Sequence, residues 1–126
     1  VKNLAKGLRE LGHDVTCSEN PSGDYDLAII NDNFPDALGK FTAKKTYNLC
    51  HSKNGCDEPL IDKRIDGYLA PRDEVANHWK SQFNIDFKIL EIPIDFERFS
   101  GKRQTNKYTI LRMAYISTNK SLWAFL

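Results

Sequence analysis

Tyr25-Asp26-Leu27-Ala28-Ile29-Ile30-Asn31-Asp32-Asn33 is the stretch on which the fold turns. Four consecutive apolar side chains without alternation suit a strand covered on both faces, and the polar triplet marks where that strand leaves its sheet. Comparable runs recur at residues 46–50, 65–70 and 87–92. Between them the spacing predicts a short helix beginning near Pro35 and a clearer one over residues 73–83, with Val75, Ala76, Trp79 and Phe83 turned inward.

Working outward, Val1, Leu4, Ala5, Leu8 and Leu11 recur at helical spacing, and Gly12 supplies a left-handed stop. Residues 15–17 then read as a short strand, closed by the turn-rich segment 18–24. Strands alternating with helices imply a parallel sheet with right-handed crossovers. The expected class is therefore α/β, a Rossmann-like parallel sheet flanked by helices. Val1 is not Met and a helix is already under way there, so truncation at both ends is expected. Residues 1–99 form the first domain in this reading, 100–107 a polar linker, and 108–126 the start of a second domain.

Composition narrows the function classes. With 40% hydrophobic residues the chain is a folded protein, and with a formal charge of +1 it has no field for holding a nucleic-acid backbone. No run approaches the roughly 18 apolar residues of a membrane span. Three cysteines, Cys17, Cys50 and Cys56, are too few for a disulfide scaffold, and a cytoplasmic setting is expected. Cys50, His51 and Cys56 lack the paired spacing and fourth ligand of a zinc site, so no metal is expected.

In an open parallel sheet the loops leaving the carboxyl ends of the strands share one edge, and ligands bind there. That rule selects Asn31, Asp32 and Asn33, then Cys50, His51 and Ser52, then Pro71, Arg72 and Asp73, and last Pro93 and Asp95. His51 reads either as a group touching a reacting sugar or as a loop histidine bonding a backbone carbonyl. Asp73 and Asp95 read as helix caps, and His13 and His78 as structural or solvated. Asp32, Asp36, Asp57 and Glu58 read mostly as solvated loop charges, since sequence proximity does not place carboxylates across a bond.

These same segments resemble the first domain of GT-B fold glycosyltransferases, in particular the retaining glycosyltransferase family 4. Residues 1–15, with Leu11-Gly12-His13-Asp14-Val15, look like the first helix and second strand of that family. Tyr25-Asp26-Leu27-Ala28-Ile29 resembles the strand that follows, and Tyr47-Asn48-Leu49-Cys50-His51-Ser52 the strand ending in a histidine that faces the transferred sugar. Ile92-Pro93-Ile94-Asp95-Phe96-Glu97-Arg98-Phe99 is similar to the segment closing the first domain.

The resemblance implies a nucleotide-sugar donor held mostly by a second domain, a glycan or lipid-linked glycan acceptor on the first, and no further cofactor. It implies His51 as the catalytic residue, Asn31, Asp32, Asn33, Ser52 and Arg72 on the acceptor side, and Lys120 at the donor phosphates. The leaving diphosphate would be stabilised by cations and helix amino ends, a form of electrostatic preorganisation. Peripheral membrane association of the intact protein and its oligomeric state stay open, with no basic amphipathic helix in view. Ser117 and Thr118 stand near where the family carries glycine and arginine, and the rival reading is a catalytically silent binding or partner module related to these enzymes. A different nucleotide-binding α/β enzyme, such as an epimerase or dehydrogenase, is a second rival.

Overall fold

In a computed structural model, residues 2–93 are described. The expected linker, the elements expected at 108–116 and 120–126, and the residues Asp95 and Lys120 lie outside them. The described part is α/β. Four strands, β1 (Gly23–Asn31), β2 (Phe41–Leu49), β3 (Gly67–Ala70) and β4 (Phe87–Ile89), form one all-parallel sheet in the order β1-β2-β3-β4. Two helices accompany it, α1 (Lys2–Glu10) and α2 (Asp73–Phe83).

The connection from β3 to β4 is the helical crossover the alternation predicts. Val75, Ala76 and Trp79 of α2 are buried with Cys50 and Ala70, and Phe83 and Phe87 close the cluster. Losing a buried aromatic such as Trp79 from a core of this kind costs roughly 3–5 kcal/mol. Helix α2 stops at Asn84, whose left-handed φ of 55° lets its N–H bond the carbonyl of Lys80. A second cluster, Ile30, Ala37 and Leu60 with Leu38, Phe41 and Ile65, fills the space beneath the β1 to β2 connection.

Several expectations need correction. Residues 15–17 form no strand; Val15 offers its carbonyl to the Arg9 guanidinium, and no sheet neighbour takes up its ladder groups. The helix expected near Pro35 is a single 3-10 turn, Pro35–Ala37, because Gly39 at φ 90° turns the chain straight into β2. In α1 the anticipated stripe is buried only at Ala5, and Leu11 is 76% exposed. Asp73 does not cap α2: Arg72 is the N-cap, without a side-chain bond, and Asp73 with Glu74 occupies the first turn, where acidic groups offset the helix dipole. Asn3 of α1 donates to the carbonyl of Pro93 at 3.2 Å, tying the first helix to the segment after β4. Among the described residues, no helix is long and apolar enough to cross a membrane.

Candidate functional site

Because all four strands point the same way, the residues that follow β1, β2 and β3 lie at one edge of the sheet. The order runs without reversal, so the described strands contain no topological switch point. What gathers the edge residues is instead a buried amide.

Asn48, near the end of β2, is fully buried. Its Nδ2 donates to the carbonyls of Ile30 at 3.1 Å and Asp32 at 2.8 Å, while Oδ1 accepts from the Leu60 N–H at 2.8 Å and from the Cys50 thiol at 3.6 Å. Every polar position of the side chain is thus used, as a buried amide requires. Three segments, the exit of β1, the exit of β2 and residue 60, are locked to one group. The sequence reading passed over Asn48 because it lies inside the strand; the signal was an amide in an apolar run with no solvent to satisfy it.

The turn fixed in this way starts with Asp32 at φ 53°, a left-handed conformation that short polar side chains tolerate better than most. Its N–H continues the ladder to the Leu49 carbonyl at 2.8 Å. Asn31 Oδ1 then sits 3.3 Å from His51 Nε2. With that oxygen facing it, Nε2 is the donor, and in the neutral ring Nδ1 keeps the lone pair. His51 is half-buried.

The next residues are held just as firmly. Ser52 Oγ donates to Asp57 Oδ2 and accepts from the Asn54 N–H at 3.1 Å, and the Ser52 carbonyl accepts from Trp79 Nε1 at 2.8 Å. Lys53 pairs with Glu74. The loop after β2 is therefore fastened to α2 by one partly buried hydrogen bond and one surface ion pair. Asp57, read as a solvated loop charge, is half-buried against Ser52, and Asp32 is half-buried as well. Burial first, and the Asp57 charge second, push the Asp32 carboxyl above the usual aspartate range; His51 draws it partly back.

Of the residues selected from sequence, Asn31, Asp32, His51 and Ser52 meet in this cluster. Asn33 is exposed on the turn, and Arg72 is exposed at the amino end of α2 beside Glu74. His78 packs edge-on against Trp79 at 4.6 Å and meets the Gln82 amide, a structural role. Cys50 is sealed at 0% exposure and its thiol is pushed up to about 12, by burial first and then by Asp32 and Asp57. A thiol held in that form is no nucleophile. Among the described residues, no group of His, Cys, Asp and Glu is placed to hold a metal ion.

No family model matches the chain, and neither the curated proteins nor the solved structures include one that matches it. The chemistry of the edge follows from its own atoms: a half-exposed imidazole oriented by an amide, next to a carboxyl that resists ionisation.

Proposed function

We propose that this chain is the acceptor-side part of a retaining glycosyltransferase that moves a sugar from a nucleotide-sugar donor to a glycan or lipid-linked glycan. The observation that carries the reading is the meeting of Asn31 Oδ1 and His51 Nε2 at 3.3 Å on the carboxyl edge of a parallel sheet. Asn31 fixes the imidazole plane and tautomer, so that His51 presents a defined hydrogen-bonding atom to a sugar hydroxyl. Asn31, Asp32, Asn33 and Ser52 supply polar groups for the acceptor, with Arg72 at the next loop along.

Two features support an acceptor role over a phosphate role for this edge. The amino end of α2 already carries Asp73 and Glu74, which compensate the helix dipole that would otherwise attract a diphosphate. Lys53, the nearest ammonium on the loop, is engaged by Glu74. The diphosphate would then be held elsewhere, with Lys120 as its candidate cation.

The test is His51→Ala in the intact protein, assayed with a panel of nucleotide sugars. Transfer should fall by roughly 10²-fold or more, the scale of a lost hydrogen-bonding or proton-transferring group, while the melting temperature stays nearly unchanged. Unchanged transfer would remove His51 from the site. The catalytically silent reading is favoured by Ser117 and Thr118 in place of the family's glycine and arginine. Absence of both donor binding and transfer across the panel would decide for it.

A further inference from the structure

Asn54-Gly55 is the one Asn-Gly step in the chain. Glycine leaves its own amide nitrogen uncrowded and its backbone free to turn, so an asparagine before it is where a side-chain amide is most readily lost. The loop after β2 leaves both reacting groups open. Asn54 is exposed, and among the described residues neither its side-chain amide nor the Gly55 N–H has a hydrogen-bond partner. A β-carbon placed on Gly55 would meet nothing within 4 Å, so the space about its nitrogen is unobstructed. Ring closure turns Asn54 away from its ψ of 150°, and what opposes that turn is the hydrogen bond from the Asp57 N–H to the Asn54 carbonyl at 2.9 Å. Asp66-Gly67, the one Asp-Gly step, is an internal contrast. Lys45 Nζ and the Thr46 N–H both bind the Asp66 carboxyl at 2.8 Å, and Gly67 is paired with Tyr47 in the ladder, so that step is held closed.

We propose that Asn54 is a site of spontaneous deamidation in the folded protein, and that its conversion releases the loop carrying His51 and Ser52. The Gly55 amide nitrogen gives its proton to water and attacks Asn54 Cγ; a C–N bond closes a five-membered succinimide, and the side-chain nitrogen leaves as ammonia with the returned proton. Water then opens the ring at either carbonyl, giving aspartate or isoaspartate, with no oxidant or reductant. In isoaspartate the main chain runs through the former side chain, and the carbonyl that accepted from Asp57 becomes a free carboxylate. The turn that presents Asp57 to Ser52 Oγ is then lost. The new charge also stands beside Lys53, the partner of Glu74 on α2. Nothing in this conversion depends on glycosyl transfer.

The experiment incubates the full chain at mildly alkaline pH, native and in denaturant, and maps deamidation by peptide mass spectrometry with enzymatic methylation of isoaspartate. In the native protein Asn54 should convert ahead of every other asparagine, with Asp66 not isomerised. Hydrogen exchange of the amides of residues 52–57 should quicken in the converted fraction. Gly55→Ala, for which there is room, should slow conversion about tenfold, equivalent to about 1.4 kcal/mol on the barrier. Conversion of Asn54 confined to the denatured chain would overturn the proposal, whether or not the variant folds. Unchanged exchange in the converted protein would overturn the release of the loop, and a folded Gly55→Ala protein that converts at the original rate would overturn the ring-closure route.

Discussion

Asn48 on β2 donates its side-chain amide to the carbonyl of Asp32 at 2.8 Å, so a fully buried residue of one strand sets the turn by which its neighbour leaves the sheet. Asn48→Ala strips partners from the Ile30 and Asp32 carbonyls and the Leu60 N–H at once. The buried Leu60 N–H is left unpaired at about 1–3 kcal/mol, and the two lost carbonyl bonds add roughly 1 kcal/mol each, while the Asp32 carbonyl keeps the Phe34 N–H. A loss of about 3 kcal/mol is therefore expected. Thermal unfolding should register it as a fall of more than about 10 °C in Tm. A fall below a few degrees would mean that water reaches these groups.

Asp32 links stability to pH with a definite sign. Its carboxyl is raised in the folded protein, so the folded state holds the proton more tightly than the unfolded one and stability declines as pH rises through the interval between the two values. The charge penalty is absent below the ordinary aspartate range and complete above the raised one. Asp32→Asn, which also tolerates the left-handed turn, should therefore raise Tm at pH 7 by about 2–4 °C, the scale of about 0.5 kcal/mol in a domain this small. The advantage should shrink as both proteins are melted at progressively lower pH, and an advantage that grew instead would contradict the assignment.

Cys50 and Cys17 should differ sharply toward alkylating reagents. Cys17 is exposed, whereas Cys50 is sealed and its thiol is pushed up to about 12. Brief treatment of the native protein followed by peptide mass spectrometry should find Cys17 modified and Cys50 intact until denaturant is added. Early labelling of Cys50 would show that the loop after β2 opens readily.

Gly67 lies against Tyr47. A β-carbon placed there would approach Tyr47 Cε1 to 2.9 Å and Cδ1 to 3.2 Å, so the ring must move. Gly67→Ala should cost about 1–2 kcal/mol in denaturant unfolding, the lower range for overpacking. In a Tyr47→Ala background the same change should cost nothing, and a cost that persists there would place the strain in the backbone.

Legibility in the sequence followed burial. Ile30 and the inward set on α2 stood out because apolar runs and helical spacing reflect what the core demands. Leu27 of the same run is 51% exposed, so β1 is not covered on both faces as the unbroken apolar run suggests. The first halves of β1 and β2 did not, since Asp24, Asp26, Lys44 and Lys45 are exposed and carry no apolar pattern. Those residues are strand because the ladder extends to Gly23 and Phe41, helped by edge-on packing of Tyr25 on Phe41 at 6.2 Å. Residues 15–17 show the converse: β-prone side chains without a neighbour to pair with. At the site, Asn31, Asp32, His51 and Ser52 were legible from strand ends alone. Asn48 and Asp57 were not, because one is hidden inside a strand and the other depends on a loop folding back to Ser52.

The strands stand in the sheet in the same order as in the chain, each beside its immediate predecessor. Every pairing therefore closes a modest length of polypeptide, which keeps the entropy of loop closure low and favours rapid assembly for a parallel architecture. The β1 and β2 pair, nine residues each, is the natural seed, and β3 and β4 can be laid down one after another as synthesis proceeds. Circular permutation that separates β1 from β2 should accordingly slow refolding far more than one that opens the β3 to β4 crossover.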